Sequence, residues 1–338
     1  MAKKETSELT ILNILKTRWG ENRLQTLDDL EESRSISTGS LRLDWELKTP
    51  YPPGIHSISG VPGVGKTTMS LEALNNAQKI GADCFYVNME RAINKSIVGT
   101  IKDLEKKGIL VFNPSSGEEA LDFIESVVSG TSKGAFIVLD SIAGISSEKE
   151  LEENMADAVD KMMLQGKLMS VFLRKVHNKV VDSKSVLLVL NQLRTSPRGN
   201  VTPGGIAIKF WSTQSLHLEH GDPNSKDFGV RKFGDKVAGR VVCCKIEKNR
   251  YEVPFSKIPV PFLYGHGIDK EYELISMAID LGLATLAGSW ITLQGNKETK
   301  LEEVKLQGIE AFTTYLRENV EQTIALKMLL NKTYGHAA

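Results

Sequence analysis

Residues 60–68 read GVPGVGKTT, and their types and spacing suit one task, holding a chain of phosphates. The stretch is Gly60, Val61, Pro62, Gly63, Val64, Gly65, Lys66, Thr67 and Thr68. Glycines let the backbone curl until successive N–H groups point inward at an anion. A helix starting near Gly65 adds the positive end of its dipole. Lys66 would reach the β- and γ-phosphates as a point charge, and the Thr67 hydroxyl would ligate Mg²⁺. A chance glycine loop is the competing reading. The order of strand, loop and helix around the turn argues against it.

A site that breaks a phosphoanhydride needs more than a cradle. Asp140 closes the apolar run AFIVLD, where a carboxylate is costly unless it meets a cation or donors. Its expected role is holding the Mg²⁺ shell through water; the alternative is a cap on the following turn. Glu90 ends CFYVNME, the strand expected after the P-loop helix, and is the candidate base that activates water. The alternative is a surface ion pair with Arg91. Asn191 and Gln192 end SVLLVLNQ in the same way. An amide there can donate to a γ-phosphate and sense its loss, or be a satisfied polar pair at a strand end.

The elements that must position these residues are legible as alternating strands and helices. GIHSISG enters the glycine turn and KTTMSLEALNNAQKIG leaves it as a helix ending at Gly81. GEEALDFIESVVSG and residues 156–181 read as helices; GAFIVLDS, SVLLVLNQ, TQSLHLEH and GRVVCCKIEK read as strands. Near-continuous apolar strands between helices predict an α/β fold with a mostly parallel sheet covered on both faces. LRTSPRGNVTPGG reads as a Gly/Pro-rich loop. After PVPFLYGHGI the pattern turns mostly helical, which sets a boundary near Gly267 and a small C-terminal α+β domain over 268–338. At the other end, Leu9, Leu12, Leu15 and Trp19 share one face of a short helix within residues 1–35, suited either to packing back or to docking on a neighbour.

Bulk properties restrict the partners. The 338 residues are 41% hydrophobic and 25% charged, a composition of globular domains. Lys plus Arg and Asp plus Glu both number 42, so a polyanion would have to be met by local cations or backbone amides. Cys84, Cys243 and Cys244 form no C-x-x-C pair, and neither a zinc knuckle nor a disulfide framework is expected. MAKKETSELT lacks the apolar run of a signal peptide, and no stretch suits a membrane span, so a cytoplasmic address is expected.

Taken in order, ISTGSLRLD (36–44), the P-loop, Glu90, VLDS, LNQ, the GG-x-A-x-KF of 204–210, the KNR of 248–250 and LYGHGI resemble the bacterial RecA recombinases. The likeness runs from about residue 10 to about residue 330, and its divergence suits a phage-encoded member. It implies a RecA-type ATPase core over 36–267 that uses ATP and Mg²⁺. It further implies a helical homo-oligomeric filament on single-stranded DNA that pairs homologous duplex and exchanges strands, with loader or single-strand-binding proteins as further partners. By position, Lys248 and Arg250 would reach the γ-phosphate bound by an adjacent subunit, with Gln192 as the nucleotide sensor and Phe210 as a relay at the subunit boundary. Without the resemblance, EKNR reads as a charged strand end.

The resemblance also implies two DNA-binding loops. One lies around 154–165 and feeds a helix with Lys167, Ser170 and Arg174; the other is 194–205, with Arg194, Arg198, Gly204 and Gly205. Taken singly, Lys167 and Arg174 read as solvated helix residues, and Met162, Met163 and Met169 as packing. The N-terminal helix becomes an interface element, and 268–338 a unit for capturing duplex DNA. Three departures stand out. Ile97 occupies the place of the family's base-stacking tyrosine, the second loop is short, and KTYGHAA ends the chain without an acidic tail. A RadA-like branch-migration helicase, a ring motor or a non-hydrolysing mediator are the alternatives. The first would add a four-cysteine finger and a protease-like domain, and the last would not need the full set of ATPase residues.

Overall fold

The elements flanking the glycine turn form as their sequences dictate. Helix α1 (Leu41–Leu47) precedes strand β1 (Gly54–Gly60), and the turn opens into α2 (Lys66–Lys79). The computed structural model describes residues 11, 13–20, 28, 34–99, 104, 108–145, 161–192, 194–196, 199–201, 207–221, 230–233 and 236–337. Met1–Arg34 and Ser35–Ala338 are separate compact units. In the first, residues 13–19 are helical, with Leu15 half-buried and Trp19 exposed; Leu9 and Leu12 lie outside the described residues.

The second unit continues with β2 (Asp83–Asn88), α3 (Lys95–Val98), β3 (Ile109–Phe112), α4 (Gly117–Gly130), β4 (Ala135–Asp140), α5 (Lys161–Asp182) and β5 (Val186–Gln192). Next come the hairpin β6 (Arg194–Ser196) and β7 (Gly199–Val201), helix α6 (Ala207–Trp211), and strands β8 (Gln214–His220), β9 (Val230–Phe233), β10 (Lys236–Asn249), β11 (Lys257–Leu263) and β12 (Gly267–Ile268). The main sheet has the order β12-β11-β10-β8-β1-β5-β4-β2-β3, with β9 on β10. From β8 to β3 the pairs are parallel; β9 to β12 add an antiparallel wing. Parallel pairs are joined by crossovers that put helices on both faces, which is why β4 up to Asp140 and β5 up to Asn191 are continuously apolar.

The two faces are distinct cores. Phe136, Val138, Leu188 and Leu190 face α2 with Met69, Leu71 and Leu74. The alternate residues Ile137, Leu139, Leu187 and Val189 face α4 and α5 with Ile124, Met169, Leu173 and Val176. Each such side chain contributes about 1.5–3 kcal/mol when fully buried.

The segment ISTGSLRLD is a joint. Half-buried Asp44 accepts from Ser37 Oγ (2.5 Å), Thr38 N (2.8 Å) and Thr38 Oγ1 (2.6 Å). Ser40 caps α1 by accepting from Leu43 N (3.2 Å), and its hydroxyl donates to Glu273, which also accepts from Leu41 N (2.8 Å). Glu273 lies on α7 (Lys270–Asp280), so this joint pins the start of the core to the C-terminal layer. Asp269, the N-cap of α7, accepts from Arg231 of β9 and from Arg317 (2.8 Å) of α8 (Ile309–Glu318).

PVPFL, which the sequence reading assigns to no element, is strand β11, with Pro259 opposite Cys243 and Pro261 opposite Val241. Proline hides a strand because it cannot donate to the ladder, and it survives here beside the two-residue strand β12. The C-terminal region is also less helical than its apolar spacing predicts. Strands β13 (Ala284–Ala287), β14 (Trp290–Leu293) and β15 (Val304–Gln307) form a three-stranded antiparallel sheet before α8 and α9 (Val320–Ala337). The break falls at Gly308, whose φ of 82° ends β15 and starts α8. Among the described residues no helix is long and apolar enough to cross a membrane.

Candidate functional site

Gly60 ends β1 so close to β8 that a Cβ there would sit 2.4 Å from Leu218 O, and Gly65 takes a φ of 109° to open α2. No other residue type fits the first position, and any L side chain is strained at the second. Between them Val64 is buried and plugs the loop into the α2-side core, while Pro62 and Gly63 face solvent. Lys66 is 7% exposed, and its Nζ donates to the loop's own carbonyls, Gly60 O (3.0 Å) and Val61 O (2.9 Å). Burial pulls its pKa down, against the opposing pull of Asp140 and Glu90. A buried ammonium on a glycine turn that opens a helix fits an anion such as a triphosphate.

The parallel strand ends collect the rest. Asp140, 6% exposed, accepts from Thr67 Oγ1 (3.2 Å) and from the Tyr86 hydroxyl. Burial raises its pKa, and Tyr86, Thr67 and Lys66 draw it back while Glu90 opposes them. Among the described residues no group of three or more His, Cys, Asp or Glu gathers as a metal cage. Thr67 and Asp140 are the residues that would hold a Mg²⁺ here, and the ion would supply charge neutralisation to a bound triphosphate. Glu90, just past β2, is exposed and accepts from Gln192 Nε2 at 2.8 and 2.7 Å and from Ser141 Oγ. Arg91 turns away to Pro114 O (3.4 Å), so the surface ion pair weighed for Glu90 does not form. Asn191 is buried one residue before Gln192. Ile97 packs half-buried against the α2-side core.

Sequence reasoning missed Tyr86 and Ser141. A tyrosine in an apolar strand expected at the sheet's centre must place its hydroxyl on a partner if it is buried, and that was the available signal for Tyr86. It also left unassigned a cleft of about 240 Å³ beside the P-loop, lined by Gly63, Thr68, His220, Arg240, Phe262 and Tyr264. Tyr264 is 58% exposed there, an aromatic face open to stacking.

Lys248 and Arg250 are not part of this cluster. Gly60 lies opposite Leu218 on β8, whereas Lys248 lies opposite Ser215, which in turn lies opposite Ser57. That register puts Lys248 roughly 10 Å back along the strands and roughly 10 Å across them from Gly60. Its Nζ donates to Lys209 O (2.8 Å) and Phe210 O (2.9 Å), closing the end of α6. Desolvation, then Arg250, lowers its pKa. Arg250 bears in the same way on His177 of α5, on the face away from α2. Phe210 is 70% and Phe255 79% exposed, and Phe255 lines a cleft with Lys209, Lys248 and Lys257.

Lys167, Ser170 and Arg174 share the exposed side of α5, opposite buried Met169 and Leu173; Ser170 Oγ donates to Gly166 O (2.7 Å). Arg194 begins β6, so the segment read as a loop carries a hairpin with Arg194 opposite Val201. Arg198, Gly204 and Gly205 lie outside the described residues.

Residues 7–269 match the model of the RecA N-terminal domain. The chain is 33% identical over 341 residues to the protein RecA of Thermotoga maritima, covering 96% of this chain and 90% of that one. It is 31% identical over 337 residues to the protein RecA of Acinetobacter baumannii, covering 96% and 92%. With a phosphate cradle, an acid and a glutamate–glutamine pair at the strand ends of a matching fold, the chain belongs to the RecA recombinase family.

Proposed function

We propose that this protein is a DNA-dependent ATPase that assembles as a helical filament on single-stranded DNA, pairs it with homologous duplex and exchanges strands. The observation that carries this reading is the separation of Lys248 and Arg250 from the cradle within one chain. The cradle, Asp140 and Glu90 stand at one end of the sheet, and the cations Lys248 and Arg250 at the other. Charge on a departing phosphoryl group calls for a cation besides Lys66, and in this reading a neighbouring copy brings Lys248 and Arg250. A head-to-tail contact of that kind repeats into a helix. Exposed Phe210 and Phe255 beside Lys248 support a subunit contact at this end.

In this reading the P-loop amides and Lys66 hold the triphosphate. Thr67 and Asp140 would hold a Mg²⁺, which would supply charge neutralisation, and Glu90 takes the proton of the attacking water. Gln192 bonded to Glu90 supports its role as sensor, because a γ-phosphate would compete for the same amide. Gln192 leads directly into the hairpin segment, so nucleotide state and DNA grip share a backbone. Lys167, Ser170, Arg174, Arg194, Arg198, Gly204 and Gly205 contact DNA; Leu9, Leu12, Leu15 and Trp19 dock on the next subunit. Residues 268–338, which carry their own hydrophobic cluster around Ile275, Leu293 and Phe312, take duplex in this reading. The test combines protein, ATP, Mg²⁺, a circular single strand and a homologous linear duplex. Joint molecules are expected; their absence, with hydrolysis indifferent to DNA, overturns the reading.

A further inference from the structure

The cleft beside the P-loop sets one charged donor, Arg240, among the neutral groups Thr68, His220 and Tyr264, which can donate or accept. Gly63 and Thr68 form its wall, so a nucleotide whose phosphates lie at the start of α2 extends its base into it. The opposite wall is built by register. Arg240 of β10 lies opposite Phe262 of β11, and Val242, two residues on, lies opposite His220 of β8. Paired residues, and residues two apart on a strand, share a face. Arg240, Phe262 and His220 therefore front the same cleft. Phe262 packs against Gly65, 3.1 Å from where a Cβ would be, which fixes this wall to the P-loop.

Among the described lining residues there is no carboxylate or carboxamide, and no described acid forms an ion pair with Arg240. The strongest side-chain hydrogen-bonding group in the cleft is thus a pure donor, whose planar fork matches two adjacent acceptors. The 6-oxo purines offer such a pair at O6 and N7; adenine offers N7 beside a donating amino group.

We propose that Arg240 reads the O6/N7 edge of a purine, so that guanosine and inosine triphosphates are bound at least as well as ATP. This rests on the nucleotide-site reading above and extends it to the choice of base. Tyr264 supplies stacking, which is blind to base identity, and Arg240 supplies the discrimination.

The test is competition of ATP, GTP, ITP and inorganic tripolyphosphate against a ribose-labelled fluorescent ATP, on the full chain with Mg²⁺ and without DNA. GTP and ITP are expected to compete as well as ATP or better. ITP separates O6 recognition from any contact to the guanine amino group. In Arg240→Ser the preference for GTP and ITP over ATP falls by about tenfold. In Arg240→Gln, whose amide both donates and accepts, the order turns toward ATP. If ATP wins by more than about tenfold and Arg240→Ser leaves that ratio unchanged, base reading is overturned while the nucleotide site stands. Equal weakening of all three nucleotides and of tripolyphosphate assigns Arg240 to phosphate and overturns it too. If neither the label nor any competitor binds, both this inference and the nucleotide site fall.

Discussion

Replacing Tyr86 by Phe isolates the metal side of the site. The Tyr86 ring is fully buried, and its hydroxyl is the leading group that pulls the Asp140 carboxyl down against burial. Without it, Asp140 keeps Thr67 Oγ1 at 3.2 Å in a site 6% exposed. A hydrogen bond to a charged group contributes about 1.5–3 kcal/mol, so roughly 2 kcal/mol of stability should go when Asp140 is ionised. That is a shift of a few degrees in Tm. The pH dependence follows from the direction of the shift. The folded-state pKa of Asp140 lies above its ordinary value, so its contribution to stability is full below that value and is lost as pH rises through the raised one. The variant raises the folded value further. Its destabilisation is therefore largest on the alkaline side and shrinks as acid neutralises the carboxyl. Urea unfolding of both proteins between about pH 5 and 9 reads this directly. Mg²⁺-dependent nucleotide binding, followed over the same range, should lose affinity at a higher pH in the variant. A destabilisation that is absent, or equal at every pH, with an unshifted binding profile, would refute the reasoning.

Glu90→Gln should bind nucleotide and DNA yet hydrolyse at least about a hundredfold more slowly, leaving long-lived filaments; turnover like the parent would move the water-activating role elsewhere. Glu273, whose pKa burial raises to about 7 from 4.5, should make the parent lose about 3 kcal/mol of stability as pH rises through that interval. Glu273→Gln should flatten that limb in unfolding midpoints measured against pH, whereas parallel curves would free Glu273 of the effect.

The glycine turn, its helix and the strand ends bearing Asp140, Glu90 and Gln192 were legible because each follows from local chemistry: glycines where φ is positive, continuous apolar strands, acids at their ends. Strand β11 was hidden by Pro259 and Pro261, and the β13–β15 sheet by apolar residues that also fit a helical spacing. The partner of Tyr86 and the place of Arg240 were illegible for a different reason. Tyr86 reaches Asp140 from 54 residues away in sequence, and Arg240 meets the P-loop only through the register of β8, β10 and β11. Spacing along a chain carries no record of strand order. The same holds for Lys248, whose distance from the cradle became visible only once β8 was known to lie between them.

The trans-acting site can be tested by mixing two inactive variants. One, Lys66→Ala with Glu90→Gln, lacks the cradle chemistry but keeps its cations. The other, Lys248→Ala with Arg250→Ala, keeps the cradle. Hydrolysis on single-stranded DNA should be negligible for each alone and return on mixing, since about one contact in four then unites an intact cradle with intact cations in a head-to-tail assembly. Full activity of the Lys248→Ala, Arg250→Ala variant by itself, or no recovery in a mixture whose partners demonstrably co-assemble on DNA, would contradict a site shared between neighbouring copies.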